Sequence, residues 1–262
     1  MLLHVIADFG HADLAFAEVS QRLKLLLPEA QLVLTSVPPF ATLAAGFCVA
    51  QLGLNEAPEN TLIFHNVAPR RDNKNARHNN DGERLAYALL PNGVKVVGVH
   101  AGFAFSFLRD VATEFHYVSV PSAGSQFRSR DLFPQGVAAV AKGRTDAFAE
   151  LVLPQHVPKI PEGRVAYIDG FGNIKTTFRA GEYEAGQHLQ VTLNNVTQTA
   201  FVSDGSFSVP QGTLTFSPGS SGWTTPEGHV RWMELFLRGG SASGMFADPA
   251  NAETVTLAPV VE

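Results

Sequence analysis

The sequence predicts two domains of different class: an α/β N-terminal domain built on a Rossmann-like layered sheet, then an all-β barrel or sandwich. Three observations carry this expectation. Apolar runs alternate with amphipathic segments through the first half, Pro154, Pro158 and Pro161 punctuate the middle, and beyond them the helical pattern gives way to short β-type runs. The expected boundaries are 1–153 for the α/β domain, 154–163 for the linker and 164–262 for the β domain. A chain of 262 residues, 45% of them hydrophobic, can bury a core in each.

In order, residues 1–7 are an apolar run that reads as a buried strand, and the amphipathic segment through Leu27 reads as a helix. Asp13 is its expected N-cap and Pro28 its stop. Residues 32–34 make a second strand, 41–54 a small-residue helix and 61–65 a third strand. Residues 85–90 and 95–99 read as strands around a Pro91-Asn92-Gly93 turn, and 115–120 as another, followed by a helix running through Ala141. After the prolines, seven short β-type runs follow between residues 164 and 257, separated by Gly, Asn, Asp, Ser and Pro.

Composition excludes several functions. The net charge of −5 and the lack of a basic run argue against a nucleic acid held through its phosphates. Cys48 is the single cysteine, so neither an internal disulfide nor a multi-cysteine zinc site is expected, and the nine histidines lack ligand spacing. We therefore expect no metal and no cofactor. No secretory pattern and no membrane-length apolar run is present, which makes a cytoplasmic protein the expectation.

Several residues stand out chemically. Asp8 leaves the carboxyl end of the first strand, where open α/β sheets place ligand contacts, although a lone Asp there also serves as a turn former. Phe40, after two prolines, is either a stacking wall or a hydrophobic staple. The polar stretch from Asn66 to Glu83 carries Arg70, Arg71 and Arg77 and is long enough to close over an anion. Ser125 to Asp131 forms a polar corner before a helix, with Arg130 and Asp131 as a possible local pair. Between Tyr167 and Thr177, Asp169 suits a cationic or hydroxyl group, Phe171 a flat ring and Asn173 the edge of a heteroaromatic base. The competing reading of that stretch is a glycine-rich turn entering a strand.

Three of these stretches, closed by a fourth near the C-terminus, form a pattern in this order. Asp8-Phe9-Gly10-His11-Ala12-Asp13, Phe127-Arg128-Ser129-Arg130-Asp131-Leu132-Phe133, Asp169-Gly170-Phe171-Gly172-Asn173-Ile174 and Glu234-Leu235-Phe236-Leu237-Arg238-Gly239-Gly240-Ser241-Ala242 together resemble the S-adenosylmethionine (SAM) hydroxide adenosyltransferase family. Its superfamily also contains the SAM-dependent fluorinase and chlorinase. The resemblance spans nearly the whole chain. It implies a SAM-binding N-terminal domain, a β-rich C-terminal domain, and a homotrimer whose site lies between the N-domain of one subunit and the C-domain of the next. SAM would be substrate or ligand.

Carried over by position, the resemblance gives Asp8 to the ribose hydroxyls and Phe40 to the ligand's face. It gives Asp169 to the methionine ammonium, Phe171 and Asn173 to the adenine, and Phe216 to a second aromatic beside it. Ser129 matches a serine of the halide-transferring branch. Two positions depart from the hydrolytic members: Asn66 stands where they keep Asp, and Arg128 where they keep His. Neither is a general base. Where a small polar pair is expected at the methionine carboxylate, the chain has His229-Val230. The adenosine half of the implied site is kept and the catalytic half, Asn66, Arg128 and Ser129, is rewritten. Displacement at C5′, hydrolysis to adenosine and methionine first, is the expected activity, with binding without turnover as the alternative. Arg128 and Ser129 together favour an anionic nucleophile over neutral water.

Overall fold

A computed structural model of the chain describes residues 1–69, 82–121, 124–205 and 207–260. The chain divides into two units, Met1–Lys159 and Ile160–Glu262.

The first unit opens with strand β1 (Leu2–Ala7) and helix α1 (Leu14–Leu26). Asp13 caps that helix, its carboxylate accepting from the Ala15 N–H at 2.8 Å, a bond of the kind worth about 1 kcal/mol. Phe16, Val19 and Leu23 recur on one face of α1 and are buried against Leu3, Val5 and Phe64 in one cluster. Strand β2 (Gln31–Ser36), helix α2 (Thr42–Gly53) and strand β3 (Thr61–Asn66) follow. To this point the chain alternates strand and helix, and β2, β1 and β3 pair in parallel.

The alternation then stops, which overturns the expected Rossmann-like α/β domain. Strands β4 (Leu85–Leu89) and β5 (Lys95–Val99) are joined by a tight turn, and β6 (Glu114–Val118) follows. So short a connection cannot carry a parallel crossover. β4 pairs antiparallel with both β5 and β6. Helices α3 (Arg128–Asp131) and α4 (Phe133–Ala141) precede β7 (Phe148–Leu151), a strand that pairs antiparallel with β6. The result is one mixed seven-stranded sheet, β2-β1-β3-β5-β4-β6-β7, with few helices on it. Residues as far as Val157 are tied to this unit, since Arg109 Nε donates to the carbonyls of Pro154 and Val157 at 3.0 Å each.

The second unit is a single curled mixed sheet rather than the expected barrel or sandwich. Its strands are β8 (Val165–Ile168), β9 (Ile174–Arg179), β10 (His188–Leu193), β11 (Val196–Val202), β12 (Leu214–Thr225), β13 (Gly228–Leu237) and β14 (Thr256–Pro259), with a short helix α5 (Ala242–Met245). They lie in the order β14-β10-β11-β12-β13-β9-β8. The pair β11 and β12 is parallel, and among the described residues the two edges approach at one isolated bridge, Arg164 to Thr254, with no strand ladder closing the sheet. Val191, Leu193, Phe216, Met233 and Leu235 are buried together in its core.

Candidate functional site

Register places the first functional group. Ala7 of β1 pairs with Asn66 of β3, so Asp8 and Asn66 emerge together at the carboxyl ends of adjacent parallel strands. Asn66 is buried, and the chain from β6 returns through α3 to bring Ser129 against it: Ser129 Oγ donates to Asn66 Oδ1 at 2.8 Å. Asp8, Asn66, Arg128 and Ser129 thereby line one cleft of about 560 Å³, with Glu83 and Phe127 in the same wall.

Arg128 is held by its surroundings. Its Nη1 donates to the Glu83 carbonyl at 3.1 Å, and its guanidinium lies 5.0 Å from the centre of the Phe133 ring. Gly82 makes room for it, because a Cβ there would come within 2.2 Å of Nη1. Two polar atoms of this wall, Arg128 Nε and Glu83 Oε1, are buried without a hydrogen-bond partner among the described residues. Arg130 is occupied structurally instead. It pairs with Glu18 at 2.7 Å and with Asp131 at 2.6 Å, and Arg130 and Ser125 hold the Asp131 carboxyl well below the usual range. The Asp131 and Arg130 pair is the local structural one.

Phe40 sits beside Asp8: its backbone N–H donates to Asp8 Oδ2 at 3.0 Å, and its φ of +62° is a left-handed conformation uncommon for a bulky residue. Phe40 is 47% exposed, so it is not a buried staple. Arg70, Arg71 and Arg77 lie outside the described residues.

Asp169, Phe171 and Asn173 occur in the second unit, in the turn joining β8 to β9. The Asp169 carboxylate organises that turn. Its Oδ1 accepts from the N–H groups of Phe171 and Asn173 at 3.0 and 3.1 Å, and its Oδ2 accepts from Asn173 Nδ2 at 2.9 Å and Lys175 Nζ at 3.3 Å. Burial pushes the Asp169 carboxyl up. The Asn173 side chain and N–H, the Lys175 charge and the Phe171 N–H outweigh it and hold the carboxyl below its ordinary value. Lys175 also reaches Glu234 at 2.7 Å. Asp169, to which the resemblance gives a methionine ammonium, thus already has a cation beside it.

Gly172 has φ +82°, and a Cβ on it would lie 2.0 Å from Ser241 Oγ, so the turn packs directly against the start of α5. The Ser243 N–H donates to the Gly172 carbonyl at 2.8 Å. The four stretches that carry the family resemblance thus assemble as two pairs: the first with the second around the cleft of the first unit, the third with the fourth in the second unit. Phe171 is 83% exposed, whereas Asn173 is buried with Oδ1 unpartnered among the described residues.

Phe216 is a correction. Its ring has no exposed surface, packing edge-on against Phe178 at 5.8 Å and Tyr183 at 5.0 Å, so it is core and offers no face to a ligand. Beside His229-Val230, Arg231 donates to the carbonyls of Pro218 and Gly219, bracing the β12 irregularity. Sequence reasoning missed Glu83 and Lys175 as members of these clusters. A signal for the second existed: Lys175 and Glu234 are opposite charges flanked by apolar and small residues inside strand runs.

No family model matches the chain, and no curated protein matches it. Solved structures do resemble it in fold. An uncharacterized conserved protein from Thermotoga maritima superposes with a TM-score of 0.75 at 17% identity, covering 98% of this chain and 100% of that one. A conserved hypothetical protein from Thermus thermophilus gives 0.68 at 22% identity, covering 98% and 99%. At these identities the likeness establishes the fold and nothing of the chemistry. No helix among the described residues is long and apolar enough to cross a membrane, and no group of His, Cys, Asp and Glu among them could hold a metal.

Proposed function

We propose that this protein binds SAM, or a related 5′-substituted adenosine, and catalyses nucleophilic displacement at C5′, with hydrolysis to adenosine and methionine as the reaction. The observation that carries the reading is the convergence of Asp8, Asn66, Arg128 and Ser129 on one cleft at the carboxyl ends of β1 and β3. A carboxylate oxygen can accept more than one hydrogen bond, so Asp8 can take the Phe40 N–H and ribose hydroxyls together. The sulfonium is a good leaving group. Holding the nucleophile in line and stripping its water therefore supply much of the rate.

Arg128 alone favours an anionic nucleophile. Among the described residues, however, Asp8 and Glu83 share its cleft, and their carboxylates favour the sulfonium cation and a neutral water. In this reading the protein is a cytoplasmic homotrimer, with Asp169, Phe171 and Asn173 of a neighbouring subunit completing each site around the adenine.

A second reading, adenosine binding without turnover, is favoured by the bond between Asn66 and Ser129, which occupies the amide oxygen standing where hydrolases keep a carboxylate. Incubating the protein with SAM and resolving adenosine and methionine by chromatography separates the two. Equal release of both products supports hydrolysis. Intact SAM together with an adenosine-induced rise in Tm supports binding alone, and intact SAM with no such rise removes both readings.

A further inference from the structure

We infer that Glu83 is the general base of this site, taking the proton of the attacking water while Arg128 holds that water. The inference rests on the proposed displacement at C5′. Neither Asn66 nor Arg128 can accept a proton, so hydrolysis through this cleft needs another acceptor. Of the two carboxylates that line the cleft among the described residues, Asp8 is engaged by the Phe40 N–H and is assigned to the ribose. Glu83 remains.

Its environment suits the role. Glu83 Oε1 is buried and lacks a partner among the described residues, and so does Arg128 Nε. Buried polar atoms are nearly always satisfied, so each of these two calls for a partner, which a water admitted to the cleft supplies. The Arg128 Nη1 bond to the Glu83 carbonyl at 3.1 Å fixes the two residues side by side. Water has the required polarity: its oxygen accepts from Nε–H and its hydrogen donates to Oε1. The neighbouring cation, Arg84, is turned away, ion-paired to Glu150 with its guanidinium 3.6 Å from the centre of the Tyr117 ring, so it does not neutralise Glu83.

In the step itself, the water oxygen forms a bond to C5′ and the C5′–S bond breaks, leaving its electron pair on the methionine sulfur. One water proton passes to Glu83 Oε1 and then to solvent. SAM and water give adenosine, methionine and one proton.

The test uses the full-length protein, SAM as substrate and chromatographic detection of adenosine, for the wild type, Glu83→Gln and Glu83→Asp across a pH series. Glu83→Gln is expected to lower kcat about 10²–10⁴-fold with KM and the adenosine-induced rise in Tm retained. Glu83→Asp, which keeps a carboxylate at this position, recovers part of the rate. Wild-type turnover that Glu83→Gln leaves unchanged overturns the inference alone. A Glu83→Gln protein that loses the adenosine response along with kcat also overturns it, placing Glu83 in binding. A wild type that leaves SAM intact overturns the displacement reading, and this inference with it.

Discussion

Ser129 Oγ donates a 2.8 Å hydrogen bond to Asn66 Oδ1, joining residues 63 positions apart at the floor of the cleft. Asn66 is buried, so removing the donor leaves an unsatisfied acceptor. Ser129→Ala is expected to destabilise the protein by about 1–3 kcal/mol, read as a lower midpoint in urea. Ser129→Thr, which keeps the hydroxyl, should lose less. Equal losses would mean that the serine acts by packing and that the bond contributes nothing.

Lys175 lies between Asp169 at 3.3 Å and Glu234 at 2.7 Å, with about a tenth of its side chain exposed. Lys175→Met leaves two shielded carboxylates facing each other and is expected to cost about 3–5 kcal/mol, the usual penalty for removing one partner of a buried ion pair. Asp169 adds a pH dependence of known sign. Its folded pKa is depressed, so its contribution is present above the ordinary carboxylate value and is lost as pH falls through the folded one. Asp169→Asn should therefore flatten the acid side of the stability curve below about pH 4. A curve unchanged in shape would remove this account of the turn.

His65 also acts on the acid side, held neutral where Asp169 is held charged. It is fully buried against Phe105, with ring centres 4.7 Å apart and neither nitrogen partnered among the described residues. Burial first, and the His100 charge second, push its pKa down to about 3. The unfolded chain takes up the proton near pH 6.5 and the folded one does not, so stability is complete above that value and falls as pH drops from there towards about 3. The slope from this one group is at most about 1.4 kcal/mol per pH unit. His65→Leu should reduce the slope of unfolding free energy between pH 6 and 4 by one proton. An unaltered slope would mean that the ring finds a partner when protonated.

Asn173 carries a prediction on the ligand. If its buried amide pairs with the adenine edge, Asn173→Ala lowers adenosine affinity by about 1–3 kcal/mol in a calorimetric titration. An unchanged Kd would make it a turn residue serving Asp169 alone.

Local chemistry was legible in the sequence and long-range pairing was not. The Asp13 cap, the apolar run of β1 and the seven strands of the second unit all follow from neighbours in the chain. The mixed character of the first sheet was signalled by Pro91-Asn92-Gly93, since two strands joined by so short a turn must run antiparallel, yet the strand and helix alternation of residues 1–66 outweighed it. Strand β7 hides before a proline-rich stretch and gains its identity only by pairing with β6. Phe216 shows the limit for aromatics: a ring in a strand reads equally as wall or core, and Phe178 and Tyr183 decide it from distant positions. Glu83 ends a polar stretch whose arginines drew the functional reading, and the bond from Arg128 to its carbonyl is what sets it beside the cleft.

The central claim, that the cleft behind Asp8 is an adenosine site, is tested most directly by thermal shift with adenosine and guanosine on the wild type and Asp8→Ala. A ligand that binds only the folded state raises Tm by mass action. The account predicts a rise with adenosine that guanosine does not give and that Asp8→Ala abolishes. Equal shifts with both nucleosides, no shift with either, or a full adenosine shift in Asp8→Ala would contradict it.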